Sequence, residues 1–345
     1  MPINTLALLR SASRTFALSI ERLPGPVGEA MCLAYLLLRV SDFLEDNDYM
    51  PPARKVELLA LWDAVLAGEA TPESLVAQLA DRDLPASGDD DPDAQVARQA
   101  PELMTKVRAL PLAVQTQLLV HVRNSTQGMA RWVARGPDIP QEVDMDDYMH
   151  EVAGRVGYLV TDVFAWYSGF IRARRDLLMP LAREFGLALQ TVNIIRGLRK
   201  DYERGWIFIP ESFCAAVNLR RADLFKPEYQ IQALQVVDML SDKAERHLRA
   251  AMDYVEALPQ WLHTLRLACI WPLLFAARTL AISRDNVNVL VGEVKMTRDE
   301  VKAIVRDTTL FGWSNTWLEQ YYQRLKVVRA PSARPPSVQL APVGK

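Results

Sequence analysis

The sequence predicts an all-α protein, and three features carry that expectation. Over long windows of its 345 residues, apolar side chains recur at i, i+3, i+4 and i+7, the spacing of one helix face. Glycine is scarce, with 15 residues, and no segment alternates cleanly between apolar and polar as a half-buried strand does. Hydrophobic residues make up 50% and charged residues 24%, which is enough apolar side chain to fill a core and argues against a disordered chain.

Taken in order, residues 31–38 (MCLAYLLL) form a very apolar helical stretch, followed by amphipathic helices over 56–67, 102–134, 148–171 and 178–199. Gly205 is a helix stop, and 206–210 reads as a short extended piece behind it. Helices resume over 230–258 and 262–282. The most apolar stretch, 267–282, carries Pro272 and Arg278 and falls short of the roughly 20 residues that cross a bilayer, so it reads as a buried helix. Trp313, Trp317, Tyr321 and Tyr322 are expected to pack a final helix. Segment 84–94 (LPASGDDDPDA) reads as a flexible acidic loop, and the proline-rich 328–345 as a disordered tail. Helices of one character flank the loop, so the expectation is a single domain over 1–327.

With 40 basic against 42 acidic residues, nothing draws the chain to nucleic acid. Cys32, Cys214 and Cys269 are far apart and odd in number, which fits a reducing, cytoplasmic setting, and four scattered histidines make a zinc enzyme a poor reading. No secretory signal is visible, and peripheral membrane contact stays open.

Two clusters bear on chemistry. Asp42, Glu45 and Asp46 stand at i, i+3 and i+4, three carboxylates on one turn, a donor set that suits Mg²⁺ completed by waters and phosphates. The same pattern also describes a solvated acidic helix end. Farther on, Asn193, Gly197 and Asp201 recur every four residues and share a face, with Arg196, Arg199, Lys200 and Arg204 crowded around them. Asn193 and Asp201 could hold a second Mg²⁺ and the cations a diphosphate; alternatively, Asp201 merely pairs within a basic helix end.

Five blocks of the sequence, in order over about residues 10–300, resemble the squalene/phytoene synthase family, and the first and fourth look closer to squalene synthases. They begin at Ser13-Arg14-Thr15-Phe16, at Tyr35 (YLLLRVSDFLED), at Tyr148 (YMHEVAGRVG), at Gly186 (GLALQTVNIIR, with Gln190) and at Val294-Lys295. The resemblance implies an isoprenoid synthase-type helical bundle around a central hydrophobic cavity. It implies Mg²⁺ on Asp42, Glu45, Asp46, Asn193 and Asp201, and contacts of Arg14, Arg39, Gln190, Arg196, Lys200 and Arg204 with diphosphate or cofactor. It also implies Lys295 as a contact for NADPH, a candidate reductant, and Tyr35 and Tyr148 as pocket tyrosines with catalytic roles beside Asp42 and Asp201. The implied reaction couples two farnesyl-type diphosphates head to head. Two departures stand out: Gly197 replaces the first Asp of the second motif, and Trp206 stands where an Arg is common. Asn193-xxx-Gly197-xxx-Asp201 is also similar to the second metal motif of class I terpene synthases, which leaves ionisation of a single prenyl diphosphate as an alternative. A non-catalytic relative is disfavoured, because three clustered carboxylates without a metal would cost stability.

Overall fold

The computed structural model describes residues 4–79, 83 and 91–327, with only the backbone of Arg14, and every regular element among them is helical. Ser13 separates α1 (Thr5–Ala12) from α2 (Arg14–Ile20): its N–H closes the first helix on Leu9 O and its Oγ accepts from Phe16 N to open the second. Next come α3 (Gly25–Asp46), α4 (Pro52–Ala67), α5 (Pro72–Gln78), α6 (Pro92–Arg98) and α7 (Ala100–Ala109). Three of these start on proline, whose absent N–H would be unbonded there anyway. The 102–134 helix is in fact split into α7 and α8 (Leu112–Arg135), because Pro111 holds Leu110 in extended backbone, φ −68° and ψ 154°.

The predicted 148–171 helix is also subdivided. α9 (Glu142–Met149) runs through a π-helical turn (His150–Gly154) into α10 (Arg155–Tyr167), and Ser168 caps a separate α11 (Gly169–Ala173). α12 (Arg175–Glu203) continues past the predicted end at 199, so Asp201 lies in its last turn. α13 (Glu211–Ala216), α14 (Gln230–Ala257), α15 (His263–Ser283), α16 (Arg298–Phe311) and α17 (Asn315–Leu325) complete the chain. Tyr321 and Tyr322 are buried in α17 as expected, while Trp313 is exposed.

α12 lies along α14 and also touches α10 and α15; α8 packs on α4, α3 and α10. Glycine permits the closest of these approaches. A Cβ at Gly157 would stand 2.0 Å from Ala182 O, and one at Gly186 would stand 2.3 Å from Ala153 O, so α12 lies directly against α10 and the π turn. The core is continuous, and its fully buried indoles all find acceptors: Trp62 on Ser41 Oγ, Trp132 on Asp147 and Trp271 on Thr308 Oγ1. α15 has the 21 residues that the sequence suggested for this helix and is, by length and composition, apolar enough to cross a membrane, yet 72% of its most apolar window is buried, as in a core helix.

The acidic segment differs from its expectation. Residues 84–90 lie outside the described residues, but 92–94 are helical rather than loop, since Asp91 Oδ1 accepts from Asp93 N (2.8 Å) and Ala94 N (3.0 Å) to cap α6. The 328–345 tail also lies outside the described residues.

Candidate active site

Two helix C-termini meet at a small cleft, open to solvent, lined by Glu45, Asp46, Tyr148, Asp201, Arg204, Trp206 and Phe208. α3 delivers Glu45 and Asp46 on its last turn, with Asp42 one turn behind. The end of α3 is satisfied from outside: Lys55 Nζ donates to Glu45 O at 2.6 Å, and Arg204 donates to the Asp46 carbonyl. Arg204 also pairs with Asp46 Oδ1 (3.2 Å) and Asp48 Oδ1 (3.0 Å), which ties the end of α12 to the end of α3.

The second wall follows from how α12 stops. Gly205 takes φ +82°, its N–H reaches Tyr202 O, and Trp206 N–H reaches Asp201 O at 2.9 Å. This is a Schellman cap, which needs a left-handed residue and so favours glycine. It turns the chain back on itself, so Trp206 and Phe208 come to lie beside Asp201. Phe208 stacks on Tyr148 (4.6 Å, 17°), Trp206 on Phe208 (5.4 Å, 17°), and Trp132 meets Tyr148 edge-on at 5.6 Å. Four rings thus form one aromatic wall.

The electrostatics of the cleft are strained toward protonation. Burial, with Asp46 beside it, lifts Asp42 to about 6 against the pull of Arg39. Burial and the Asp46 charge lift Asp201 to about 6 despite Arg204. Glu45 is raised well above the ordinary carboxylate range by burial and by Asp46 and Asp42, although the Tyr148 hydroxyl donates to it. Tyr148 is raised well above an ordinary phenol, by burial and then by the charges of Glu45 and Asp46. Negative charge accumulated around a cleft to that extent is a favourable environment for a hard divalent cation.

The remaining residues singled out in the sequence fall into two further places. Arg39 forks onto Asp93 (Nε–Oδ1 2.7 Å) and reaches Asp42 at 3.3 Å, and Tyr35 packs on Phe16 with ring centres 5.6 Å apart. Asn193 and Arg196 are on the exposed side of α12, hydrogen-bonded at 2.9 Å. Arg196 Nε (3.1 Å) and Lys295 Nζ (2.6 Å) converge on Glu293. Gln190 is half-buried, Lys200 is exposed, and the Arg14 side chain lies outside the described residues. Sequence reading overlooked Lys55, Asp93, Phe208 and Glu293. Only Glu293 left a local signal, next to Lys295; the others are joined to the site by folding alone.

A model of the squalene/phytoene synthase family matches residues 9–300. The chain belongs to that family. It is 28% identical to squalene synthase of Homo sapiens over 329 residues, which cover 95% of this chain and 74% of the human one, and 27% identical to that of Mus musculus with the same coverage. It is also 26% identical to Botryococcus squalene synthase of Botryococcus braunii, over 85% of this chain and 60% of the other. A solved structure of TcSQS with a ligand aligns over 96% of this chain and 92% of its own at a TM-score of 0.80 and 22% identity. A dehydrosqualene synthase with a ligand aligns over 92% and 96%, at 0.59 and 17%. These likenesses establish an isoprenoid synthase-type helical fold. The family joins prenyl diphosphates head to head, and this member is a squalene/phytoene synthase-like prenyltransferase.

Proposed function

We propose that the protein joins two farnesyl diphosphates head to head, in a Mg²⁺-dependent reaction, to a C30 squalene-like product by way of a cyclopropyl diphosphate. The observation that carries this reading is the cleft itself, where carboxylates from α3 and α12 face a wall of stacked aromatic rings. Among the described residues no three metal-binding side chains converge into a ready-made cage. Mg²⁺ does not require one, since it keeps waters and takes substrate phosphates with one or two carboxylates. The donor set therefore fits, with Asp42, Glu45 and Asp46 on one side and Asp201, with Asn193 farther out, on the other.

Bound there, Mg²⁺ supplies Lewis-acid polarisation of diphosphate oxygens. Arg204, poised across the cleft, and Lys200 offer charge-assisted hydrogen bonds to the same diphosphate. As one farnesyl C1 loses its diphosphate, the allylic cation alkylates the double bond of the second molecule, and proton loss closes the cyclopropane. The faces of Tyr148, Phe208 and Trp206 steady that cation through their quadrupoles, worth about 2 kcal/mol for a desolvated ring. The wall also keeps water from it. The Tyr148 oxygen, beside Glu45, is placed to hold a proton during the step. Arg196 and Lys295, gathered on Glu293, are the residues that would contact NADPH phosphates. The three cysteines, buried and unpaired, support a cytoplasmic setting, and the helices through residue 327 are read as one folding unit.

A second reading rests on Gly197. Its position next to Asp201 lacks the carboxylate that would complete a symmetric second metal face, which suits ionisation of one prenyl diphosphate to a C15 product. Gas chromatography–mass spectrometry of incubations with farnesyl diphosphate and Mg²⁺, with and without NADPH, separates the two. A C30 product is the expected result; a C15 alcohol or cyclic hydrocarbon would overturn coupling. Geranylgeranyl diphosphate in the same assay tests chain length.

A further inference from the structure

The end of the protein farthest from the cleft is aromatic and exposed. α12 runs 29 residues from Arg175 to Glu203, about 1.5 Å each, so its first turn lies roughly 40 Å from its last. Beside that first turn, Phe170 of α11 packs edge-on against Trp261 in the α14–α15 turn (4.9 Å, 73°), and Trp261 is 69% exposed. His263 Nε2 lies 3.1 Å from Thr309 O, which brings the α14–α15 turn against the end of α16. There Leu310, Phe311 and Trp313 are all exposed, Trp313 by 53%, and Tyr167 at the end of α10 adds another exposed ring. The surface is thus made of helix ends and turns, not the flank of a helix.

Its charges are basic on the side of Tyr167 and Phe170. The Arg174 guanidinium lies over the Phe170 ring at 4.2 Å, and Arg172 donates to the carbonyls of Ala165 and Trp166. Both arginines are exposed, and among the described residues neither has a carboxylate partner; the adjacent acidic residue is Asp176 in α12. Trp and Tyr rings interleaved with arginine are what the headgroup level of a bilayer accommodates, ring bodies toward the acyl boundary and guanidinium toward phosphate.

We propose that this end of the protein docks on an anionic phospholipid bilayer surface, with Trp261 and Trp313 as its insertion points and Arg174 on lipid phosphate. Docking there leaves the acidic cleft facing away from the anionic surface, where like charge would repel it.

The test is flotation of the full chain with phosphatidylcholine vesicles and with phosphatidylcholine–phosphatidylglycerol vesicles. The expected result is binding to the anionic vesicles that weakens as salt is raised. The Trp261→Ser/Trp313→Ser variant should partition about tenfold less at an unchanged melting temperature. Arg174→Gln should lose the preference for phosphatidylglycerol while keeping residual binding to phosphatidylcholine. Failure of the parent to float, or equal flotation of the double variant, overturns the proposal. So does light scattering that shows a dimer split by the double variant, which would make a second copy the occupant. Acrylamide that fails to reach these indoles in the vesicle-free monomer would also overturn it, because residues 328–345 would then be what covers them.

Discussion

The ends of α3 and α12 are built to opposite designs, although each presents an acidic motif to the same cleft. α3 ends in three carboxylates at i, i+3 and i+4, two of them lining the cleft, with Lys55 and Arg204 bound to its terminal carbonyls. α12 contributes one carboxylate, Asp201; Gly197 provides none, and Asn193 spends its oxygen on Arg196 at the exposed surface. The neighbours differ in the same sense, since Lys200 and Arg204 flank Asp201. Substrate diphosphate held here would be gripped mainly from the α3 side, and the α12 side would act more through Arg204 and the aromatic wall than through metal.

The sharpest way to break this comparison is to remove a carboxylate from the strong side. Asp42→Asn is expected to lower kcat/KM for farnesyl diphosphate by about 10³-fold or more, whereas Asn193→Ala should cost far less; equal losses would sink the asymmetry. Next in size is Tyr148→Phe, which keeps the stack on Phe208 and removes the hydroxyl that faces Glu45. A loss of about 10- to 100-fold in kcat with little change in KM is expected from steady-state kinetics.

Gly197→Asp probes the weak side directly. A Cβ at that position would sit 3.4 Å from Asp201 Oδ2, an ordinary contact, so a side chain can start there without forcing the backbone. With Mg²⁺ the expected change is a several-fold lower metal requirement, read by titration of activity. In chelator the added like charge should destabilise the fold by about 1 kcal/mol, read by denaturant unfolding.

The smallest effect is in pH. Asp201 titrates at about 6 in the fold and near 4 in an unfolded chain. Between those values the folded state binds more protons, so this group's contribution makes stability fall as pH rises through the window. Asp201→Asn in chelator should therefore gain on the parent in melting temperature from pH 4 to pH 6.5; a constant difference would mean that Asp201 is not raised in the fold.

Much of this architecture was legible because helix periodicity survives without tertiary context. The 230–258 and 262–282 helices lie within a residue of α14 and α15 at either end. Where reading failed, a single residue outweighed a longer pattern: Pro111 split one helix, Ser168 another, and Asp91 capped a helix inside an apparent acidic loop. The α3 carboxylates could be found because their spacing is local. Lys55 and Asp93 could not, since each reaches α3 from another helix, and no helical period marks such a pairing. Gly205 was legible as a stop, but a stop does not say which way the next side chains face; that took the Schellman bonds which bring Trp206 and Phe208 back against Tyr148.

The π turn between α9 and α10 works as a phase shifter. One extra residue in a helical turn rotates all that follows by about 100° without adding a loop. Here Tyr148, before the turn, lines the cleft, and Gly157, after it, faces the carbonyl of Ala182. Gly128 keeps the turn seated, since a Cβ there would meet the Glu151 carboxylate at 2.1 Å, and Ser125 Oγ pins the Glu151 carbonyl at 2.6 Å. Deleting one residue from 150–154 would reset the register, so the chain would keep either Tyr148 in the cleft or Gly157 against Ala182, but not both.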